Sequence, residues 1–190
     1  MSRAREFADL AGSANAGGIT GRNLIINGAM EVAQRGTSTA SISSSSTYVL
    51  DRTRFGLSNG GTWTMSQSTT VPSGQGFSHS LKLDCTTADT SLGSTDYLQV
   101  QQLIEGQNVQ HLAYGTSGAK SVTVSFWIRS NKTGTYTLEV QTQTSSNAFY
   151  QNAKAFTISS ADTWEKKEIT FVGNTSNNVI NSNAVGFYVS

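Results

Sequence analysis

Two segments in the second half of the chain alternate regularly between apolar and polar residues. In residues 121–129 (SVTVSFWIR) every even-numbered position is apolar, and in residues 134–142 (GTYTLEVQT) the even-numbered positions from 136 to 140 are apolar. A period of two is typical of a β-strand with one face toward a core and the other face outward. Each segment is therefore predicted to be a strand, and the outward face of the first carries an aromatic residue, Trp127.

Shorter apolar or alternating runs, separated by Gly, Ser and Asn, recur along the chain from residue 23 onward. They predict strands over 23–26, 30–33, 48–50, 54–57, 62–66, 80–85, 97–104, 121–129, 134–142, 154–158, 165–172 and 184–189. No segment of useful length has a helical period. The pattern predicts an all-β fold, a two-sheet antiparallel jelly-roll sandwich. The polar run 36–47 (GTSTASISSSST) is predicted to be a mobile surface loop, and Asn27-Gly28 and Asn59-Gly60 to be tight turns.

The N-terminus differs in character from the rest of the chain. Residues 1–10 (MSRAREFADL) indicate one or two amphipathic helical turns, followed by a Gly/Ala/Ser/Asn stretch typical of a linker. So short a helix is marginal in water without a partner surface. We therefore expect residues 1–21 to be a leader and linker, and residues 22–190 to be the jelly-roll domain. The leader residues expected to attach to a partner are Arg3, Arg5, Phe7 and Leu10.

Composition and spacing argue against several classes of function. The formal charge is +1, which gives no field to recruit nucleic acid, and no run approaches the ~20 apolar residues of a membrane span. His79 and His111 are far apart in polar segments and are interpreted as solvated loop residues rather than metal ligands or catalysts. The lone Cys85 is interpreted as a small buried thiol. These patterns predict a protein that is not an enzyme and needs no cofactor.

Aromatic residues on a polar strand face suit carbohydrate, because sugar C–H faces stack on flat rings while amides and charged groups bond to the hydroxyls. One such surface is predicted to combine residues from three strands: Trp127, Arg129, Glu139, Gln141, Gln99 and Gln101. The alternative is that a neighbouring subunit covers this face, or that it packs elsewhere in the domain.

Two motifs resemble a known family. Residues 22–35 (RNLIINGAMEVAQR) and 48–55 (YVLDRTRF) look like the opening of a module in tail-fibre and related virion proteins of bacteriophages, although Thr53 interrupts the D-R-W element that is usual there. Segments 80–83, 101–106, 121–130, 134–141 and 163–171 are similar, as an ordered set, to the galactose-binding-like jelly roll of carbohydrate-binding modules. The resemblance covers about residues 22–190.

The resemblance implies a structural component of a phage tail fibre. Such a protein would be assembled in the host cytoplasm and located in the virion. The resemblance further implies a homotrimer, with phage tail or adaptor proteins and host surface polysaccharide as its partners. It would anchor the fibre and contribute to host attachment.

The resemblance also implies that a structural calcium can lie near the first strand, with Glu31 the nearest candidate ligand and the metal left unassigned. The chain departs from the family in one respect, since family members usually continue for one or two more strands. The jelly roll is therefore expected to be incomplete at its C-terminus, with an open strand edge there, either because a longer fibre continues beyond residue 190 or because a neighbouring subunit supplies the missing edge.

Two other functions stay open at this point. The chain can be a carbohydrate-binding module of a secreted glycan-active protein, which predicts a signal peptide or a catalytic neighbour. It can also be a glycan depolymerase, which predicts cleavage of host polysaccharide by a pair of carboxylates.

Overall fold

The computed structural model describes residues 23–190. Over that range the chain forms eleven strands and one short 3-10 helix, Gly106–Leu112. The strands are β1 Ser38–Ile42, β2 Ser45–Tyr48, β3 Thr53–Ser58, β4 Thr62–Ser68, β5 Ser80–Thr87, β6 Tyr97–Glu105, β7 Val122–Ile128, β8 Gly134–Gln143, β9 Phe149–Ile158, β10 Glu165–Phe171 and β11 Val185–Val189. All their pairings are antiparallel. The predicted all-β antiparallel class is confirmed.

One large sheet faces two smaller ones. The six-stranded sheet has the order β2-β3-β6-β11-β8-β9, and the smaller sheets are β1-β4-β5 and β7-β10. Each smaller sheet packs on one half of the large sheet, so the second layer of the sandwich is divided. The final strand, β11, pairs with β6 on one side and β8 on the other. The expected unpaired edge at that strand is therefore wrong.

A separate hydrophobic core lies under each smaller sheet. Under β1-β4-β5, the buried residues are Ile42, Val49, Leu50, Phe55, Leu57 and Met65. Under β7-β10, they are Ile104, Val109, Leu112, Tyr114, Leu138, Val140, Phe171, Val179 and Phe187. The alternation read from the sequence accounts for the second core, because the even-numbered residues of β7 and β8 face it.

The segment that precedes β1 bridges the two cores. Leu24 packs against the core under β7-β10, and Met30 packs against the core under β1-β4-β5. Between them, the side chain of Gln102 on β6 holds the backbone of Ile26: its Nε2 donates to the Ile26 carbonyl at 2.5 Å, and its Oε1 accepts from the Ile26 N–H at 3.1 Å. Gln102 is 8% exposed. One inward-facing amide thus satisfies two backbone groups of a segment that has no strand partner.

A second set of bonds fixes the same segment farther along. The Asn27 side chain donates to the carbonyls of Val32 and Asp51 and accepts from the Val32 N–H. The Asp51 carboxylate accepts from the Gln34 N–H at 2.7 Å. Asn27 has φ 58°, in the left-handed region that Asn tolerates better than most residues. The two motifs that carry the family resemblance therefore interlock, and both have a structural role.

Arg52, next to Asp51, connects this corner to the central strand β6. Its guanidinium forms two hydrogen bonds with the Glu105 carboxylate, at 3.1 and 3.2 Å, and a third with the Leu103 carbonyl. Those Arg52 hydrogen bonds are the main reason that the pKa of Glu105 lies below its ordinary value. Glu105 directly precedes the 3-10 helix, so the ion pair connects the residue before that helix to the residue before β3.

Several sequence predictions of local structure are wrong. Residues 23–26 and 30–33 form no strand, because they fill the junction between the two smaller sheets instead of pairing along an edge. The polar run 36–47 contains β1 and most of β2, since backbone pairing to β4 and β3 needs no apolar side chains. Cys85 is exposed, because the second half of β5 extends beyond the core. The turns at Asn27 and Asn59 are confirmed, with φ of 58° and 49°.

The bond between Gln102 and Ile26 predicts a stability effect. Gln102→Met keeps the size of the side chain but leaves both Ile26 backbone groups without their partner, so we expect the free energy of unfolding to fall by about 1–3 kcal/mol. Urea denaturation followed by fluorescence measures it. Gln99→Met, on the opposite face of the same strand, is the matched control and should change little. Equal midpoints for the two variants would contradict this role of Gln102.

Candidate functional site

The outward face of the six-stranded sheet collects polar residues from five adjacent strands. Strand register places Arg54 of β3 opposite Gln101 of β6, and Tyr188 of β11 opposite Gln141 of β8. Because directly opposed residues of an antiparallel pair share a face, these side chains all point away from the cores. We call this surface the amide face, and its residues are Arg54, Gln99, Gln101, Tyr188, Glu139, Gln141, Gln143, Phe149 and Gln151.

Gln101 lies near the middle of the amide face and is 6% exposed. Its Oε1 is buried and accepts no hydrogen bond from any described residue. Burying an unpaired amide oxygen costs about 1–3 kcal/mol, so such atoms are uncommon and call for a physical explanation. Because this oxygen is enclosed, a bound molecule reaches it only when a neighbouring side chain moves, and its hydrogen bond would then remove that cost.

Tyr188 flanks the same position. Burial raises the pKa of its hydroxyl, and the nearby positive charge of Arg54 offsets part of that rise. The hydroxyl donates to the Gln143 Oε1 at 3.1 Å, and the ring lies edge-on to Phe149 with 6.2 Å between ring centroids. Phe149 is 51% exposed. These contacts fix the orientation of the Tyr188 ring and leave an aromatic surface at one side of the amide face.

Four of the six residues predicted to bind glycan lie on the amide face. Glu139 and Gln141 of β8 and Gln99 and Gln101 of β6 share it, with β11 between the two strands. The sequence pattern could group them because each lies at a polar position of an alternating strand.

Trp127 and Arg129 do not belong to this surface. Trp127 is opposite Lys166 on β7-β10, in the other layer of the sandwich, and the Arg129 side chain bonds to Asp162, with Nε 2.8 Å from the carbonyl oxygen and Nη2 3.1 Å from the carboxylate. The prediction that all six residues form one surface is wrong for these two. Alternation assigns a residue to one of two strand faces, but it does not tell which layer of the sandwich the strand occupies.

Sequence reasoning missed Arg54, Tyr188, Gln143, Phe149 and Gln151. The signal for Tyr188 was present, since it alternates with Phe187 and Val189 in the final strand. Phe149 and Gln151 lie in the first half of β9, which the sequence prediction began at residue 154. The leader residues Arg3, Arg5, Phe7 and Leu10 lie outside the described residues.

The histidines and acidic residues offer no metal centre within residues 23–190: no three His, Cys, Asp or Glu side chains gather there. Glu31, the nearest ligand for the implied calcium, directs its carboxylate to the His79 Nδ1 at 2.7 Å. A calcium ion near the first strand stays a prediction. His79 lies in a loop with its side chain 30% exposed, as interpreted, whereas His111 lies in the 3-10 helix and not in a loop. No helix in the described chain has the length and apolar character to cross a membrane.

Comparison with known proteins gives one solved structure of similar architecture. It is the crystal structure of the enzymatically active domain of bacteriophage CBA120 tailspike protein 4, with 14% sequence identity and a TM-score of 0.48. The match covers 88% of this chain and 20% of that one, so this chain spans about a fifth of the tailspike domain's length. No family model and no curated protein matches the sequence. Similarity at this level does not transfer an activity or a partner.

Proposed function

We propose that this protein binds carbohydrate through the amide face, as a non-enzymatic component of a phage tail fibre that contributes to host attachment. The observation that carries the binding proposal is the buried, unpaired Oε1 of Gln101 at the centre of that face. A sugar hydroxyl that reaches this oxygen when a neighbouring side chain moves can donate to it and remove its desolvation cost.

The chemistry around Gln101 suits a polyhydroxylated ligand. Glutamine amides both donate and accept, the Arg54 guanidinium donates, and the Glu139 carboxylate accepts, so hydroxyl groups in several orientations find partners. The rings of Tyr188 and Phe149 supply flat apolar surface for a pyranose face. Five of the nine residues of the amide face are neutral amides, and the two charged residues are of opposite sign, which favours an uncharged glycan over an anionic one.

The surroundings of Glu139 favour binding over catalysis. Glycoside hydrolysis uses two carboxyl groups that flank the scissile bond, about 5–10 Å apart. The residues directly opposite Glu139 are Ala153 on β9 and Ser190, which exchanges two backbone hydrogen bonds with Glu139. Neither of these paired residues carries a side-chain carboxyl group, and we assign Glu139 to hydrogen bonding with the ligand.

The proposed place in the virion rests on the sequence resemblance. Residues 22–35 and 48–55 resemble the opening of the phage fibre module, and in the described chain these motifs interlock through Asn27 and Asp51. A homotrimer that attaches to a tail or adaptor protein through Arg3, Arg5, Phe7 and Leu10 belongs to the same proposal, with host surface polysaccharide as the ligand.

Glycan binding is tested with variants on each of the two candidate surfaces, the amide face and the outer face of β7-β10. Gln101→Leu and Tyr188→Ala should each weaken binding to a bacterial glycan array at least about tenfold, since each removes roughly 1.4 kcal/mol or more of bonding or stacking. Trp127→Ala, on the other layer, is the matched aromatic control and should bind like the unchanged protein. Thermal melts confirm that the variants fold.

Loss of array binding in Trp127→Ala with retention in Gln101→Leu and Tyr188→Ala would move the site to the β7-β10 sheet. Absence of binding by the unchanged protein to any glycan would reject carbohydrate recognition.

Attachment to the virion predicts a separate result. Mass spectrometry of purified virions should detect the protein, and deletion of residues 1–10 should remove it from particles while glycan binding by the isolated protein persists. The matched control is Trp127→Ala in the full chain, which should be incorporated normally. Absence of the unchanged protein from purified virions would reject the fibre assignment.

A further inference from the structure

Two asparagine-glycine pairs lie in turns of the described chain, and their asparagine side chains are held very differently. Both asparagines have left-handed backbone, with φ of 58° at Asn27 and 49° at Asn59. Asn27 is partly buried, and its side chain forms three hydrogen bonds with the backbone of Val32 and Asp51. Asn59 is exposed, and its Nδ2 donates to the Asp96 Oδ1 at 3.1 Å. The Asn59 side chain is therefore the freer of the two to rotate.

The Asn-Gly sequence permits the chain to react with itself. The backbone nitrogen of Gly60 gives its proton to solvent and attacks the Cγ of Asn59. The new N–Cγ bond closes a five-membered succinimide, the Cγ–Nδ2 bond breaks, and ammonia leaves after taking a proton from solvent. Water then adds to either succinimide carbonyl and breaks its C–N bond, which leaves aspartate or isoaspartate. Glycine has no Cβ, so its own side chain does not hinder the attack.

The geometry favours this reaction at Asn59 over Asn27. No described residue accepts a hydrogen bond from the N–H of Gly60 or of Gly28, so the difference between the pairs lies in the asparagine side chains. Attack requires the Cγ and the glycine nitrogen to approach to about 3–3.5 Å. Asn59 breaks one exposed hydrogen bond to reach that position, whereas Asn27 breaks three. At a factor of about five for each bond, the two extra bonds slow Asn27 at least about tenfold.

The Asn59 amide ties the β3-β4 turn to residues 88–96, the loop between β5 and β6. The Asp96 carboxylate accepts from Asn59 with one oxygen and from the Gly93 N–H with the other. Deamidation replaces the Asn59 donor with a carboxylate that faces the Asp96 carboxylate at the same short distance. Two negative charges so close repel each other, so the attraction across this contact becomes a repulsion.

The turn also has little room for a longer main chain. Isoaspartate adds one carbon to the backbone, and only residues 59–61 connect β3 to β4. Gly61 has φ 86°, and a Cβ at this position would collide with the Thr87 carbonyl oxygen. On the other side, the Trp63 Nε1 donates to the Gly60 carbonyl at 2.6 Å. The extra carbon therefore shifts the turn relative to the end of β5.

We infer that Asn59 is a site of spontaneous deamidation, and that the carboxylate formed there releases residues 88–96 from the β3-β4 turn. Water is the co-reactant and ammonia the leaving group. The modification adds one negative charge, which takes the formal net charge of the chain from +1 to zero. It does not depend on carbohydrate binding or on a place in the virion.

Peptide mapping by mass spectrometry tests the modification in the full, unchanged chain after incubation in mildly alkaline buffer. Trypsin separates the two pairs, since it leaves Asn27 in peptide 23–35 and Asn59 in peptide 55–82. Aspartate and isoaspartate should accumulate at Asn59 at least about tenfold faster than at Asn27. Asn59→Gln is the matched control, which keeps an amide but cannot close the five-membered ring, and peptide 55–82 should then stay unmodified. Equal rates at Asn27 and Asn59, or an Asn59 that stays intact, would overturn the inference.

Amide hydrogen exchange followed by NMR tests the release of the loop. Asn59→Asp should speed exchange at Gly93 and Asp96 about fivefold, the value of one hydrogen bond. The double variant Asn59→Asp with Asp96→Asn exchanges donor and acceptor, so the bond can form again and exchange should return to that of the unchanged protein. Exchange in Asn59→Asp that matches the unchanged protein, or a double variant that exchanges as fast as Asn59→Asp, would contradict the release.

Discussion

The two hydrogen bonds between the Gln102 amide and the backbone of Ile26 fix the segment that crosses between the two halves of this sandwich. The second layer is divided into β1-β4-β5 and β7-β10, and the junction between them would otherwise expose the inner face of β6. A chain segment that crosses such a junction without strand partners carries unpaired backbone groups, which are costly when buried. Gln102 satisfies two of them, while Leu24 and Met30 anchor the segment in the two cores.

The amide face follows from the same arrangement. The inner face of the large sheet is taken up by two cores and the crossing segment, so the residues of the amide face lie on its outer side, whereas the polar residues Thr53, Gln102 and Thr142 face inward. Because β11 inserts between β6 and β8, it brings Gln101 and Gln141 within two strands of each other and places Tyr188 between Leu103 and Gln141. The last strand of the chain thus assembles the candidate site from strands that are distant in sequence.

Alternation was sufficient to predict the strands that cover the cores and the polar faces of β6 and β8. It could not place β7 in the opposite layer from β8, because a turn of a few residues can lead either to the next strand or across the sandwich. Trp127 was therefore grouped with Glu139, although their strands belong to different sheets. Residues 23–26 were predicted to be a strand because they are mostly apolar. Leu24 is apolar because it packs against a core, and that packing does not require its backbone to pair with another strand.

Hydroxyl-radical footprinting with polysaccharide from the host surface tests the central claim most directly, since it reports side-chain accessibility residue by residue. Tyr188 and Phe149 lie on the amide face and Trp127 lies on the other layer, and aromatic residues of this kind are readily oxidised. We predict that bound polysaccharide protects Tyr188 and Phe149 from oxidation and leaves Trp127 unchanged. Protection of Trp127 without protection of Tyr188 and Phe149 would contradict the account.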